Sequence, residues 1–329
     1  MKNIAIVGAT GLVGSNFIKI IEEKKMKFDQ LYLYASSRSA GKTVLVNDKE
    51  YTVIELSKEN ILDKQIDYAL FSAGGGISAL FAQYFVEIGA VVIDNSSQFR
   101  MDKDVPLVVP EVNMSDAFNH KGIIANPNCS TIQSVLPLYV LDELYGVKTV
   151  HYATYQAVSG SGLKGIKDLE DTSNGLVPSN YPHPIYNNCL PHIDRFLDNG
   201  YTYEEMKMIN ETKKILNNDD LLVSATCVRV PVINSHSVEM NVELNQPFSI
   251  EDIKKAMSLH DGITLMDDVA NNIYPLAGYA TGKDDVFVGR IRQDITHPNK
   301  LHLFCVADNI RKGAALNAVQ ILEELERSE

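Results

Sequence analysis

The sequence has 329 residues, of which 45% are hydrophobic and 22% charged, and its formal net charge is −12. This composition is that of an ordinary globular protein, and the length favours two domains. The acidic balance and the lack of any Lys/Arg run argue against a nucleic-acid partner, because such binding needs a basic face. No stretch predicts a membrane span: even the most apolar, residues 79–93, is interrupted by Gln83, Glu87 and Gly89. The N-terminus also lacks the form of a signal peptide.

Cysteine spacing gives information about the compartment. The sequence has four widely separated cysteines: Cys129, Cys189, Cys227 and Cys305. With no C-x-x-C spacing in a chain of this size, the pattern predicts free thiols and a cytoplasmic location. A metal site is not expected, since His183, Cys189 and His192 match no common zinc spacing.

The first part of the chain alternates short apolar runs with helical patterns. The run Asn3–Val7 stops at Gly8, and helical spacing follows over residues 15–25. Strands separated by helices imply parallel pairing with right-handed crossovers, so we predict a Rossmann-like, doubly wound α/β domain over residues 1–130. Its further predicted elements are strands over 31–35, 67–73 and 90–94 and a helix over 78–88.

After Cys129 the pattern changes to a helix followed by longer strands with fewer helices between them. This order favours an α+β domain over residues 131–308 with a mixed or antiparallel sheet. Residues 172–191, with four prolines and four asparagines, predict a long irregular loop. An amphipathic helix over 309–326 is expected to complete the first domain with segment 309–329. The predicted strands are 147–158, 221–232, 236–244, 285–293 and 300–308.

The glycine-rich run Gly8–Gly14 lies between the first predicted strand and the first predicted helix. It has one residue more than G-x-G-x-x-G between its first two glycines, but it still offers a tight turn and a helix N-terminus for a pyrophosphate. We interpret it as a dinucleotide-binding turn, the alternative being a purely structural turn. The residues expected at the cofactor are Gly8, Thr10, Gly11, Leu12, Val13 and Gly14.

The segment after the second predicted strand indicates which dinucleotide is bound. An NAD-binding unit would place Asp or Glu there to hold the ribose hydroxyls. This chain instead has Ser36, Arg38 and Ser39. An arginine among serines suits a 2′-phosphate, so NADP is favoured, although an exposed loop arginine is the alternative.

Cys129 follows Asn126-Pro-Asn at the start of a predicted helix. A helix N-terminus stabilises a thiolate, so this position favours a nucleophile. Cys227 and Cys305 lie inside apolar strands and are interpreted as buried thiols. His236 begins a strand shortly after Arg229 ends another, an arrangement that on its own is also common for structural residues.

Several ordered segments together resemble the aspartate-β-semialdehyde dehydrogenase family over essentially the whole chain. GATGLVG and SSRSAGK resemble its NADP-binding start, and NPNCSTIQ resembles its nucleophile segment. QAVSGSG carries the family's glutamine as Gln156, and EEMK and CVRVPVINSHS are similar to its substrate and acid–base segments. The resemblance implies a homodimer that supplies a precursor of lysine, methionine and threonine.

The resemblance also implies roles for individual residues. Cys129 would be the nucleophile, His236 the acid–base with a pKa near the working pH, and Gln156 the residue that orients substrate. Arg229 would pair with the substrate α-carboxylate and Glu204 with its amino group. The residues implied at the phosphate are Arg100, Asn128 and Lys207. Those implied at the nicotinamide side of the cofactor are Ser159, Gly160 and Asn309.

Two alternatives stay open at this point. N-acetyl-γ-glutamyl-phosphate reductase shares the fold, cofactor and cysteine chemistry, but its acylated amine leaves no purpose for a carboxylate such as Glu204. A non-catalytic NADP-sensing protein would need the glycine turn and Arg38, but not Cys129, Gln156 and His236 together.

Overall fold

The computed structural model describes residues 2–328 and divides the chain into two compact units. The first consists of residues 2–127 and 314–328, and the second of residues 128–313. Among the described residues, no helix is both long and apolar enough to cross a membrane.

The first unit is built on a six-stranded sheet with a separate two-stranded hairpin. Its strands are β1 (Asn3–Val7), β2 (Gln30–Ala35), β3 (Thr43–Val46), β4 (Lys49–Thr52), β5 (Ile54–Glu55), β6 (Tyr68–Phe71), β7 (Val91–Asp94) and β8 (Ile123–Ala125). Its helices before the second unit are α1 (Leu12–Glu23), α2 (Lys58–Leu62), α3 (Gly75–Glu87) and α4 (Pro110–Ala117). The sheet order is β5-β2-β1-β6-β7-β8, and its strand pairs are parallel.

The second unit contains the other sheet. Its helices are α5 (Cys129–Tyr145), α6 (Gly162–Ser173), α7 (Tyr203–Ile215), α8 (Ile250–Leu259) and α9 (Ala277–Ala280). Its strands are β9 (Val147–Gln156), β10 (Leu222–Arg229), β11 (His236–Leu244), β12 (Ile263–Leu265), β13 (Val286–Gln293) and β14 (Lys300–Ala307). The last helix, α10 (Asn317–Ser328), belongs to the first unit.

Helices cover both faces of the first sheet, which explains why its strands are nearly continuous apolar runs. On one face, Phe17 of α1 and Val319 of α10 are fully buried in a single apolar cluster. On the other face, the Phe85 ring of α3 makes edge contacts with Tyr34 and Phe71, at centroid distances of 5.7 and 5.2 Å. The predicted doubly wound α/β domain is confirmed.

The second sheet is mixed, as predicted. Its order is β10-β9-β11-β14-β13-β12, with β9–β10 and β12–β13 parallel and the other pairs antiparallel. Burial alternates strictly along β11, because one side of the strand faces the core and the other does not. This sheet brings the carboxyl ends of β9 and β10 to the same edge, with Gln156 opposite Arg229.

The end of the chain differs from the single helix predicted from residue 309. The Asp308 carboxylate accepts the N–H groups of Ile310 and Arg311, and a π-helical turn over Arg311–Leu316 precedes α10. A Cβ on Gly313 within this turn would lie 2.9 Å from Cβ of Cys129. The wider turn is therefore accompanied by a close approach to the cysteine that only glycine permits.

The irregular segment predicted over residues 172–191 is observed from Asn174 onwards, after α6 ends. It is ordered by Asp168 of α6, whose carboxylate accepts the backbone N–H groups of Ser179, Asn180 and Tyr181 at 2.8–2.9 Å. A loop without regular structure needs such side-chain acceptors for its backbone donors.

Candidate active site

The glycine-rich turn of the first unit has the geometry of an anion cradle. Gly8 has a φ of +88°, and a Cβ at this position would lie 2.8 Å from the Ser72 carbonyl oxygen. A Cβ on Gly14 would lie 2.1 Å from the Gly8 carbonyl oxygen. Helix α1 begins directly after Gly11. No side chain caps the N–H groups of its first turn, which includes Leu12 and Val13. Such a helix start fits a pyrophosphate.

The residues predicted to choose the dinucleotide follow β2. Ser36 and Arg38 are exposed and Ser39 is half-buried. The Thr10 hydroxyl donates to the Ser39 hydroxyl at 3.4 Å, which links this segment to the glycine-rich turn. The guanidinium of Arg38 is thus accessible beside the turn, with no carboxylate among residues 36–42.

Arg100 also belongs to the first unit, where it is buried beyond the end of β7. Its Nε donates to the Asn126 carbonyl and its Nη2 to the Asn95 carbonyl, both at 2.9 Å. These bonds fix the guanidinium against the backbone and hold its position for an anion.

Cys129 is the first residue of α5, as the sequence predicts, and is half-buried. The preceding Asn128 caps this helix: its Oδ1 accepts the N–H groups of Ser130 and Thr131 at 2.9 and 3.3 Å. The nucleophile expected from sequence therefore lies in the first turn of a well-capped helix, where the dipole favours a thiolate.

Glu204 of α7 lies at the centre of a buried polar cluster. It accepts from Asn128 Nδ2 at 2.8 Å and Gln156 Nε2 at 3.1 Å, and it pairs with Lys207 Nζ at 3.1 Å. Burial acts to raise the pKa of Glu204, but Lys207, these two hydrogen bonds and Arg229 outweigh it and lower that pKa to about 2. The carboxylate is therefore charged throughout the neutral range.

Lys207 has a second carboxylate partner, Asp194 at 2.8 Å. Burial acts to lower its pKa, but Glu204 and Asp194 outweigh burial and raise the pKa above the ordinary lysine value. The predicted phosphate-binding lysine is thus a fixed cation between two carboxylates.

The backbone of a single residue, Ala157, joins Arg229 and His236. The Ala157 carbonyl accepts from Arg229 Nη1 at 2.7 Å, and its N–H donates to His236 Nδ1 at 2.9 Å. His236 Nε2 and Arg229 Nε are buried and have no hydrogen-bond partner among residues 2–328. Both groups are available to a ligand, because a buried polar atom without a partner is costly. A Cβ on Gly160 would lie 2.7 Å from Arg229 Nη1 and 3.2 Å from His236 Nε2, so this glycine keeps the space beside both side chains open.

The pKa of His236 differs from the expectation of a value near the working pH. Complete burial lowers it, and the Arg229 cation lowers it further, to about 3. Since Nδ1 accepts the Ala157 N–H, the neutral imidazole carries its proton on Nε2. This histidine is a neutral hydrogen-bond donor in the ligand-free protein.

Asn309 connects two turns of the second unit. Its Oδ1 accepts the Ser235 N–H at 2.8 Å, and its Nδ2 donates to the Ser159 hydroxyl at 3.1 Å. Ser235 is buried and has a φ of +73°, a region that non-glycine residues rarely adopt. Sequence reasoning missed Ser235 and Ala157, because both act through a backbone N–H, to Asn309 and to His236 respectively, and residue type does not signal such a contact.

The predicted site residues divide equally between the two units, and the second unit holds the residues expected to carry the chemistry. Asn128, Gln156, Glu204 and Lys207 share one hydrogen-bonded cluster, whereas Arg229 and His236 share Ala157. The glycine-rich turn, the segment after β2 and Arg100 belong to the first unit. No group of three or more His, Cys, Asp or Glu side chains within residues 2–328 is placed to hold a metal ion.

Family models match both halves of the chain. Residues 3–120 match the model described as "Semialdehyde dehydrogenase, NAD binding domain", and residues 136–312 match "Semialdehyde dehydrogenase, dimerisation domain". Together these ranges cover most of the chain.

Curated proteins give a more specific match. The aspartate-semialdehyde dehydrogenase of Aquifex aeolicus is 51% identical over 331 residues, which cover 98% of this chain and 97% of that protein. The enzyme of the same name from Bacillus subtilis is 47% identical and covers 99% of this chain and 97% of that protein.

Solved structures agree. Aspartate semialdehyde dehydrogenase II of Vibrio cholerae, complexed with ASA, matches with a TM-score of 0.95 at 44% identity, covering 99% of this chain and 98% of that chain. The Candida albicans enzyme with NADP matches with a TM-score of 0.79 at 28% identity, covering 99% of this chain and 98% of that chain. The chain belongs to the aspartate-semialdehyde dehydrogenase family of oxidoreductases, which use a nicotinamide dinucleotide.

Proposed function

We propose that this protein catalyses the NADPH-dependent reductive dephosphorylation of L-aspartyl-4-phosphate to L-aspartate-4-semialdehyde and phosphate. The step belongs to the biosynthesis of lysine, methionine and threonine. The observation that carries the proposal is a pair of opposite charges near Gln156: its amide donates to the Glu204 carboxylate, and Arg229 lies opposite it on the neighbouring strand and helps to lower the pKa of Glu204. A free α-amino acid needs both, an anion for its ammonium and a planar cation for its carboxylate.

In the first half-reaction, the Cys129 thiolate attacks the acyl carbon of the substrate. The carbon–sulfur bond forms as the carbon–oxygen bond to phosphate breaks, and phosphate leaves with the electron pair. The start of α5 stabilises the thiolate, and we assign Arg100, Asn128 and Lys207 to the phosphate. The Asn128 amide is already shared with Glu204, so it orients the carboxylate as well.

In the second half-reaction the thioester is reduced. NADPH, when bound, supplies the hydride. His236 donates from Nε2 to the carbonyl oxygen on which negative charge develops, since its Nδ1 is occupied by the Ala157 N–H. When the carbon–sulfur bond breaks, Cys129 leaves as a thiolate and the aldehyde is released. Gln156 orients the acyl group between these residues.

NADP in preference to NAD is the finer part of this proposal. The cradle at Gly8 and Gly14, which a Cβ would fill, supports a dinucleotide of either kind, and the exposed Arg38 between Ser36 and Ser39 supports the choice of NADP. We assign Ser159, Gly160 and Asn309 to the nicotinamide side, because the structure groups them beside Arg229 and His236.

We assign dinucleotide binding mainly to the unit of residues 2–127 and 314–328. We assign catalysis, including the Cys129 nucleophile, and the contacts of a homodimer to the unit of residues 128–313. The matching dimerisation model supports the second part. A cytoplasmic location accords with the exposed, unpaired thiol of Cys189.

An absorbance assay at the NADPH band tests the proposal. The purified protein should reduce NADP when given aspartate semialdehyde and phosphate, and oxidise NADPH when given aspartyl phosphate. Cys129→Ala, which removes only the thiol, serves as the control and should be inactive. A wild-type protein that binds NADP without turnover would instead support a sensing role.

A further inference from the structure

Glu211 is a buried carboxylate that the proposed chemistry does not use. It lies on α7, only 1% exposed, and its Oε2 accepts the backbone N–H of Asn128 at 2.6 Å. Asn128 directly precedes Cys129, so this bond lies one residue from the nucleophile.

A second carboxylate of α7, that of Glu204, also contacts Asn128. Glu204 and Glu211 are seven residues apart, nearly two helical turns, and therefore lie on the same face of the helix. Glu204 accepts from the side chain of Asn128 and Glu211 accepts from its backbone. Two carboxylates of one helix thus hold one residue of another.

Every polar group of Asn128 has a partner as a result. Its Oδ1 caps α5 at Ser130 and Thr131, and its carbonyl accepts the Ile132 N–H at 2.9 Å. Its side-chain amide and backbone N–H donate to α7. Asn128, the residue before Cys129, is therefore held through its backbone N–H, its carbonyl and its side chain.

We propose that Glu211 is a positioning residue for the nucleophile: it holds the Asn128 peptide so that Cys129 enters α5 in the orientation needed for attack. The inference deepens the proposed function and rests on it for the role of Cys129. Small displacements of a reacting group cost about a hundredfold in rate, so losing this bond should be visible in kcat.

The decisive variant is Glu211→Asp, which keeps the charge but withdraws the carboxylate by one methylene. We expect kcat to fall by about ten- to a hundredfold with little change in KM, because Arg229 and Glu204 are untouched. Glu211→Gln retains an oxygen at the original reach and should recover most of the rate. Thermal unfolding of each variant shows whether it is folded.

Glu205 provides the matched control. It lies on the same helix, is also buried, and accepts two backbone N–H groups, that of Thr202 at 2.7 Å and that of Cys227 at 3.0 Å. Glu205→Asp should therefore leave kcat near the wild-type value. Equal loss in Glu205→Asp and Glu211→Asp, or equal loss in Glu211→Gln and Glu211→Asp, would overturn the proposal.

A second readout does not depend on turnover. Alkylation of Cys129 by iodoacetamide, followed by peptide mass analysis, should be several-fold slower in Glu211→Asp, because a displaced thiol loses the helix N-terminus that favours its thiolate. Unchanged alkylation would count against the proposal. If wild type lacks dehydrogenase activity, the proposed function fails, while the alkylation comparison still decides the role of Glu211.

Discussion

His236 receives a hydrogen bond from the backbone of Ala157, whose N–H lies 2.9 Å from Nδ1 of the ring. The same residue holds Arg229 through its carbonyl. The backbone of one residue therefore sets the tautomer of the histidine and also holds the neighbouring cation. This arrangement determines which ring nitrogen of His236 carries the proton. The identities of the residues alone do not show it.

The first prediction concerns the protonation of His236. Since burial and Arg229 lower its pKa to about 3, the imidazole should remain neutral, with its proton on Nε2, between about pH 5 and 8. Nitrogen-15 NMR of histidine-labelled protein, assigned with His236→Asn, measures this directly. Arg229→Leu should raise the pKa while leaving it below the ordinary value, because burial is the larger cause.

The depressed pKa also predicts a stability effect. A histidine whose folded pKa lies below its unfolded value of about 6.5 stabilises the fold above that pH, and this contribution is lost as pH falls toward the folded value. The free energy of unfolding should therefore fall less steeply below about pH 6.5 in His236→Asn than in wild type. A measured pKa of His236 near the ordinary histidine value would contradict both the predicted neutral imidazole and the predicted pH dependence of the free energy of unfolding.

The second prediction is that only one of the four cysteines is a nucleophile. Cys129→Ala should abolish turnover and leave NADP binding intact. Burial raises the pKa of Cys305 to about 12 and that of Cys227 well above its usual range, so both stay protonated. Their alanine variants, and Cys189→Ala, should affect stability alone. Peptide mass analysis that finds substrate trapped on another cysteine would disprove the assignment.

Strands β1, β2, β6 and β7 were predictable because each is a largely buried apolar run closed by a turn. Cys129 at a helix start followed from the Pro-Asn turn before it. The two-residue turn at Asn47 and Asp48, which joins β3 to β4, was missed because the flanking residues are mostly polar and exposed.

The rest of the site depends on tertiary contacts that sequence spacing does not record. The sequence could have suggested Glu211, because it lies nearly two helical turns from Glu204. Its hydrogen-bond partner could not be predicted, because it is the backbone N–H of Asn128, which is distant in sequence. The π-helical turn at Gly313 accompanies a close approach to Cys129, which is distant in sequence. The low pKa of His236 follows from burial.

The third prediction concerns the irregular segment after α6. Asp168 accepts three backbone N–H groups and the Ser179 hydroxyl, and an asparagine has only one oxygen to offer them. Asp168→Asn should therefore lower the free energy of unfolding by about 1.5–3 kcal/mol, measured with urea. Asp171→Asn on the same helix, which breaks an ion pair with the exposed Lys167, should cost less than about 0.5 kcal/mol.

The Asp168 effect should also depend on pH. Burial acts to raise its pKa, but the hydrogen bonds from residues 179–181 outweigh burial and lower it. A depressed carboxyl pKa contributes stability above the unfolded value of about 3.9 and loses it as pH falls through the folded value. The gap between wild type and Asp168→Asn should therefore narrow in acid. A gap that persists unchanged at low pH would refute this cause.

The fourth prediction tests the choice of dinucleotide. Arg38→Ala removes the exposed cation next to Ser36 and Ser39, and it should weaken NADP binding by about ten- to a hundredfold, the equivalent of about 1.5–3 kcal/mol. NAD binding should hardly change, since it has no 2′-phosphate to lose. Lys42→Ala, another cation after β2, is the matched control. Equal catalytic efficiency of the unmutated protein with NAD and NADP would defeat the prediction.

The last prediction separates the two related substrates. We assign Arg229 to the substrate α-carboxylate, so Arg229→Lys should raise KM although the charge is kept, because an ammonium lacks the planar fork. Glu204 stays ionised, with a pKa of about 2, and we assign it to the ammonium of an unmodified amino acid. Acetylation removes that charge and adds bulk, and sites built for a specific polar partner reject analogues lacking it by up to about 10⁴-fold. We therefore expect rapid reduction of β-aspartyl phosphate and negligible reduction of N-acetyl-γ-glutamyl phosphate in the same NADPH assay. Comparable catalytic efficiencies with the two substrates would contradict the role assigned to Glu204, because the acetylated substrate has no ammonium for this carboxylate to bind. The acetylated substrate would then become the better assignment.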